Sequence, residues 1–567
     1  MLTLQVPHRM TMSLISELRR RKVFRAALIY AVGAWGVLQA VDVLGALAGL
    51  PDWTLRAVLV ALVAGFPVAM LLSWAFRRSA FRIEREAGIP LTAAPPAADK
   101  KGLPPADAGN RSPVAVVPFR NLSGEAHNNY LADGLTQEVL GILAGIGALR
   151  VPERHSACCG EDGRADLRGV AATLPVSHVL QGSVQRFDDS LKVDAELIDV
   201  SSGARTWSKA YDGLTGDLVR IAAALAQAAA AALGVPLAAI SRKKRRPAFS
   251  SEANIAYLKG RHALNRSTAA GCLEAIEYFE VALAAAPTMA RAHAGMANAY
   301  WWLASYGGLT PDHGYPRARD AAEKALAHEP DLAEAHLALA QVRLRYDWNF
   351  AAAEESFQNA LQFEPSSAEV HELYGHFLQM MGKHDQASAM RREAVRLDPL
   401  SRSAHRGLAD SAFCAGALDE AVRELETIAE YSPDYPIHHL QARIELRRGR
   451  PRAALDAIGS DPMHWRRLYI GAIAYHRLGD LDSHRKALQE LIDSHGHDAG
   501  LQIAIVYAQA GDKDKAFEWL EKAYQQRDPG LIELESDPEL EPLRGDARFR
   551  ALQDRLGFRQ PLRATGC

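Results

Sequence analysis

Cysteine is scarce: five in 567 residues, two of them adjacent as Cys158 and Cys159, with no CxxC pair. Such usage gives no disulfide framework and points to a reducing compartment. Adjacent cysteines form only strained disulfides, which disfavours redox chemistry there. An excess of charge is also missing, with 65 Lys and Arg against 67 Asp and Glu. Without a global positive field, no nucleic-acid partner is expected. Neither a GxxxxGKS/T phosphate loop, a GxSxG elbow nor a kinase HRD/DFG pairing occurs, so no catalytic residue and no cofactor is assigned. What is present is an ordinary folded composition, 48% hydrophobic and 23% charged, in a chain long enough for about three to four units of ~150 residues.

Charge vanishes locally near the N-terminus. Between Arg25 and Arg56 only Asp42 and Asp52 are charged, and from Ala57 to Phe76 nothing is. About twenty helical residues at ~1.5 Å each cross a ~30 Å hydrocarbon layer. The sequence therefore predicts a transmembrane helical hairpin over 26–76, with spans near 26–48 and 56–76. A second span where a mature polar start would lie argues against a cleaved signal peptide. Arg19, Arg20, Arg21, Lys22 and Arg25 precede the hairpin, and Arg77, Arg78, Arg82 and Arg85 follow it. Cationic flanks stay inside. Residues 1–25 and everything after the hairpin are thus expected on the cytoplasmic side of an inner membrane. Asp42, near the outer end of its span, can reach the interface by snorkelling.

A basic, then Pro/Ala-rich linker over 77–112 leads to a predicted α/β (α+β) domain at 113–235. Val114–Phe119 reads as a buried strand and 130–146 as a helix with Leu131, Leu135, Val139, Ile142 and Leu143 on one side. A strand near 149–151 and a short helix at 166–174 come next. Then 176–187 and 191–200 read as a hairpin turning at Asp188-Asp189-Ser190, with a strand at 206–211 and an alanine-rich helix at 218–233. The runs SPVAVVPFRNLSGEAHNNYLADGLTQEVLGIL and VSHVLQGSVQRFDDSLKVDAELIDVSSGARTWSKAYDG resemble the bacterial TolB-N-terminal-like (FlgO/CsgG-related) domain. The preceding apolar hairpin is similar to the one accompanying that domain in membrane-anchored TPR proteins. This resemblance implies an assembly or interaction module without an established catalytic residue. Members of that family can be fused to nucleotide cyclase or winged-helix domains; with about 24 residues before the first span, neither is expected here. Arg242–Arg246 falls in a basic linker, 236–251.

The second half carries a repeat. Pro287, Pro330, Pro365 and Pro399 each have alanine twelve and five residues upstream, and Pro433 has Ala421 and Ile428 there. The last three intervals between these prolines are 35, 34 and 34 residues, the tetratricopeptide (TPR) period. Alanines seven apart share a helix stripe and permit close approach, and proline ends the second helix. The 43-residue interval before Pro330 holds an insert around Gly307-Gly308, expected to lengthen an inter-helix loop. Seven to eight units are predicted over 252–530, closed by a polar capping segment at 531–567.

Stacked pairs leave a concave groove lined by first helices. That register puts Arg345, Glu369, Glu372, His376, Gln379, Arg406 and Asp410 on it, a mixed lining suited to an extended peptide or helix of a protein partner. The Lys/Asn pattern of a carboxylate clamp for chaperone tails is not evident. His371 and His376 mimic a zincin motif, but five residues on a helix separate them by ~140°, so no metal site is assigned. The fold expected is multidomain: transmembrane hairpin, α/β module and all-α TPR superhelix. The expected function is a non-enzymatic membrane-anchored scaffold. The alternative is a signalling regulator related to cyclase- or transcription-factor-fused TPR proteins, binding a nucleotide in the α/β domain.

Overall fold

A computed structural model describes residues 112–146, 149–151, 176–235, 249–306, 308–433 and 435–558. The segments 1–25 and 26–76, nearly all of 77–112, Cys158-Cys159, the helix expected at 166–174 and the basic run 242–246 lie outside the described residues. Among the described residues no helix is long and apolar enough to cross a membrane.

The chain first builds a mixed sheet from β1 (Ser112–Val116), β2 (Arg120–Asn121), β3 (Leu149–Arg150), β4 (His178–Phe187), β5 (Ser190–Asp199) and β6 (Arg205–Leu214). Its order is β3-β1-β4-β5-β6, with β2 alongside β4. β1 runs parallel to β3 and β4, whereas β4, β5 and β6 are antiparallel. The β4–β5 hairpin turns on Asp188 and Asp189, with Asp188 at φ 52°, a backbone region that Asp tolerates better than most residues. Helices α1 (Asn129–Ala144) and α2 (Leu218–Ala232) pack together. Leu131, Leu135, Val139 and Leu143 of α1 are fully buried, at the helical spacing of one apolar stripe.

Sixteen further helices follow in eight antiparallel pairs: α3 (Ser251–Leu264) with α4 (Ala269–Ala285), α5 (Ala290–Ser305) with α6 (Pro311–His328), α7 (Ala333–Arg345) with α8 (Phe350–Phe363), α9 (Ala368–Met380) with α10 (His384–Leu397), α11 (Arg402–Cys414) with α12 (Leu418–Tyr431), α13 (His438–Arg447) with α14 (Pro451–Ile458), α15 (His464–Leu478) with α16 (Leu481–His495), and α17 (Gly500–Gln509) with α18 (Lys513–Gln525). Local chemistry sets their limits. Ser250, Thr268, Ser367 and Ser401 each accept a backbone N–H with the side chain at a helix start. Helices α4, α6, α8, α10 and α12 all stop two residues before a proline. The stripe alanines Ala275, Ala282, Ala318, Ala325, Ala353, Ala360, Ala387 and Ala394 are buried, where a larger side chain would force the helices apart. The long interval before Pro330 is absorbed in part by longer helices: α5 and α6 have 16 and 18 residues, α7 and α8 have 13 and 14.

The sheet unit is fused to the array. One apolar core runs from Val114, Leu135 and Leu180 through Tyr257 and Leu258 to Phe279. Gly134 on α1 lets α3 approach so closely that a methyl there would stand 2.7 Å from Leu258 Cδ2. The other sheet face, at Ala115, Val117 and Val179, meets Leu400 in the turn before α11 and Tyr431 at the end of α12.

At the far end the chain returns. Residues 529–533 and 538–543 form short 3-10 turns, and α19 (Ala547–Leu556) follows. Leu531, Ile532, Leu534, Leu540 and Leu543 are fully buried. Ile532 enters the core of the third and fourth pairs, beside Ala333, Leu337, Phe350 and Phe357. Ser536 donates to Met380 Sδ (3.4 Å), Arg527 donates to the Tyr346 carbonyl (2.6 Å), and Phe558 lies 4.7 Å, centroid to centroid, from Phe350. Residues 531–558 thus do more than end the stack; they tie its last pairs to its middle.

Candidate functional site

Six of the seven residues expected to line the groove form one connected polar patch. Arg345, last residue of α7, donates from Nε to Gln341 Oε1 (2.9 Å), and its Nη2 lies 3.3 Å from His376 Nε2 on α9. Gln379, one turn further along α9, is buried and accepts from Ser411 Oγ (2.9 Å). Arg406 and Asp410, four apart on α11, pair at 3.1 Å, the spacing at which helix residues become neighbours. Glu372 and Asp410 share the Arg391 guanidinium as a charge neighbour. Glu369, one turn before Glu372 on α9, is exposed, and its charge acts on both Glu372 and Arg261 of the first pair.

Arg391 binds the patch together, and sequence reasoning missed it. It sits on α10, a second helix, yet its side chain crosses to the groove side. Its Nη1 donates to Gln379 Oε1 and to Ser411 Oγ (2.5 Å), and its Nη2 lies 3.4 Å from His376 Nδ1. Two glycines open the passage. A methyl on Gly375 of α9 would stand 2.9 Å from Arg391 Cγ, and one on Gly407 of α11 would stand 2.9 Å from its Nε. Phe279 fills the equivalent hole in the first two pairs, between Gly260 and Gly295. The signal was available. Eight residues before the repeat prolines stand Phe279, Ala322, Phe357, Arg391 and Leu425, and only one of these is charged.

Burial governs the electrostatics. Arg391 is 1% exposed, and desolvation pulls its pKa down against the charges of Glu372 and Asp410. Glu372 keeps part of its surface in the groove but is otherwise enclosed by protein. Burial is the main reason its carboxyl rises to about 7, with Glu369 and Asp410 adding repulsion and Arg391 opposing. Both members of this charge pair are therefore pushed toward neutrality, as expected where desolvation outweighs Coulomb attraction. His376 is held well below the usual histidine range by burial and then by Arg345 and Arg391, so it is neutral.

The patch offers hydrogen-bond donors and charge, not an activated nucleophile. The nearby Cys414 thiol is pushed up to about 12 by burial, and Cys272 elsewhere to about 11; the reactive thiolate is absent at neutral pH. The zincin-like histidines diverge, His371 Nδ1 meeting the Ser367 carbonyl at 2.9 Å while His376 faces arginines. Among the described residues no cluster of three or more His, Cys, Asp or Glu is placed to hold a metal ion.

Two further polar clusters flank the patch. On one side Arg291 of α5 pairs with the buried Glu138 of α1 (2.8 Å), and Arg261 of α3 pairs with Glu334 of α7 (2.9 Å). On the other, Arg443 of α13 meets Asp537 (2.8 Å) and Glu539 (3.2 Å) of the returning segment, and Tyr469 of α15 donates to Glu539.

Comparison with known proteins matches a recognised repeat to the part of this patch that holds Gln379, Arg391, Arg406 and Asp410. The Tetratricopeptide repeat family matches residues 379–436. A Rhizobium meliloti (strain 1021) protein that bears the name of an adenylate cyclase is 29% identical over 241 residues, 42% of this chain and 41% of that protein. The match therefore spans about two-fifths of the length of that curated relative. Among solved structures, the human IFIT1 dimer with m7Gppp-AAAA is 16% identical, with TM-score 0.36, over 54% of this chain and 77% of that one. PilF of Pseudomonas aeruginosa is 22% identical, with TM-score 0.28, over 35% and 92%. TTC0263, a thermophilic TPR protein of Thermus thermophilus, is 19% identical, with TM-score 0.29, over 34% and 97%. Residues 379–436 thus carry a tetratricopeptide repeat, set in a mostly helical, TPR-like array of paired helices joined to a small sheet unit.

Proposed function

We propose that this protein is a non-enzymatic scaffold, held at an inner membrane by residues 26–76, whose TPR array recruits a protein partner on the cytoplasmic side. One observation carries the reading. Arg345, Glu372, His376, Gln379, Arg406 and Asp410, read as lining the concave side, lie in a single patch whose chemistry suits recognition rather than bond-making. Membrane tethering raises the local concentration of whatever the array holds. The sheet unit, read as TolB-N-terminal-like, adds a second interaction surface.

The test is capture of partners by the full chain from detergent extract, repeated with Glu369→Lys and Arg406→Glu. Both side chains reach solvent, so reversal alters recognition without uncovering a buried charge. Loss of the same captured proteins in either variant is expected; a partner set that survives both, and survives removal of 252–530, refutes the reading. Reporters placed within residues 50–54 and after residue 567 test the membrane topology, with only the first expected outside.

A second reading is favoured by the relative bearing the name of an adenylate cyclase: a signalling regulator whose sheet unit binds a nucleotide. Titration calorimetry of the full chain with ATP and GTP decides it. Saturable binding that mutation of the sheet unit abolishes supports this alternative.

A further inference from the structure

The floor of the patch holds buried hydrogen-bond donors without acceptors. Arg391 uses Nη1 fully, but its buried Nε has no partner. Gln341 is 1% exposed; its Oε1 accepts from Arg345 while its buried Nε2 has no partner. His376 places one ring nitrogen 3.4 Å from Arg391 Nη2 and the other 3.3 Å from Arg345 Nη2. A neutral imidazole has one lone pair and one N–H. At most one of these contacts is a hydrogen bond; the other sets donor against donor. An orphaned buried donor costs about 1–3 kcal/mol, and two lie here, Gln341 Nε2 on α7 and Arg391 Nε on α10, with the opposed His376 nitrogen of α9 between Arg345 and Arg391.

The residue responsible is out of place for its repeat. Arg391 occupies the hole that Phe279 fills in the first two pairs, and a well-packed apolar residue there is often neutral or better for stability than a buried charge. Stability alone does not account for the guanidinium. Carboxyl groups nearby leave the surplus in place. Asp410 is engaged by Arg406; Glu372 neighbours Arg391 in charge but accepts no hydrogen bond from its Nε; Glu533 of the returning segment lies near Arg345 and Arg443, beside the like charge of Asp537.

We propose that this floor is an oxyanion site, taking a carboxylate or phosphoryl group carried by the protein partner. The group enters over the partly exposed Arg345 and His376 and satisfies the nitrogen that a second donor now opposes. Arg391 is a positioning residue beneath it, fixing His376 and Gln379. An acceptor-only group suits the site because it meets several N–H donors without adding another. This site rests on the reading of the concave side as the partner surface.

The test is thermal unfolding of the full chain in detergent with sodium acetate, inorganic phosphate or chloride at matched ionic strength, for wild type and Arg391→Phe. Phenylalanine restores the residue of the sister repeats, so the variant is expected to fold with its melting temperature kept or raised. Arg391→Lys, which retains charge without the planar fork, is the second variant should Phe fail to fold. Wild type is expected to show a saturable rise of roughly 2 °C in acetate, phosphate or both, absent from Arg391→Phe and reduced in Arg391→Lys. A rise in acetate alone assigns a carboxylate, in phosphate alone a phosphoryl group. Equal responses of wild type and variants to all three salts overturn the proposal, because general salt effects act on each alike. Loss of partner capture in Glu369→Lys or Arg406→Glu alongside equal salt responses removes this site and leaves the scaffold reading standing.

Discussion

Ile532→Ala tests whether the returning segment holds the array together. In ordinary stacked repeats each unit touches only its neighbours, so damage at one end stays there. Ile532 lies beyond the last pair yet is fully buried with Ala333, Leu337, Phe350 and Phe357 of the third. The substitution removes three carbons, about 2.4 kcal/mol of transfer free energy at ~0.8 per carbon. Incomplete collapse of the cavity raises the cost to about 3–4 kcal/mol. A chain of several units need not unfold in one step, so native-state hydrogen exchange is the appropriate assay. Protection is expected to fall in 528–545 and also in α7 and α8, nearly two hundred residues away in sequence. Leu425→Ala inside α12, buried among Phe413, Ile428 and Leu440, should leave α7 and α8 unchanged. A loss below about 1 kcal/mol, or one confined to 528–545, would show that the return is laid against the middle repeats without supporting them.

Three other outcomes follow from the same contacts. Glu372 binds its proton more tightly when folded, its carboxyl having risen from 4.5 to about 7, so its contribution to stability declines as pH climbs from about 4.5 to 7 and is level above. Glu372→Gln should therefore gain on wild type between pH 5 and pH 8 in paired melting curves; a constant gap refutes the shift. The difference cancels His376 and His439, which are held below the usual range and lose stability below about pH 6.5 in both proteins. Arg291→Met removes the guanidinium that pairs with the buried Glu138 and should cost about 3–5 kcal/mol, whereas Glu138→Met with Arg291→Met should be close to neutral; a double-mutant cycle in urea measures the difference, and equal costs refute it. Gly407→Ala drives a methyl to 2.9 Å from Arg391 Nε and 3.4 Å from Glu372 Oε1, predicting a loss of about 1–3 kcal/mol that largely disappears in an Arg391→Ala background.

What could be read from the sequence divides by range. Helix ends before Pro330, Pro365, Pro399 and Pro433 were legible because proline acts on its immediate neighbours, and the alanine stripes because seven residues bring a side chain back to the same face. The β4–β5 turn at Asp188-Asp189 was legible for the same reason. Arg391 was written just as plainly, at the aromatic position of its repeat, but a reading that expects first helices to line the groove does not look for a second-helix side chain there. Only the coincidence of Gly375 and Gly407 with a long cation between them reveals the passage. The return of 528–545 was not legible at all. It depends on how far the superhelix turns in eight pairs, a property summed over many small packing angles that no local motif records.

The two non-repeat units set how much concave surface a partner can meet. α1 lies against α3 and reaches Arg291 on α5, closing the first two pairs. The returning segment reaches Met380, Arg443 and Tyr469, closing the later ones. Displacing it would expose Leu531, Ile532, Leu534, Leu540 and Leu543 together, at about 1.5–3 kcal/mol each, more than a single peptide segment commonly returns on binding. It is therefore wall, not gate. The patch around Arg345, His376 and Arg406 lies between the two, so the proposed site would take a short acidic or phosphorylated element of a partner rather than a long helix running the length of the array.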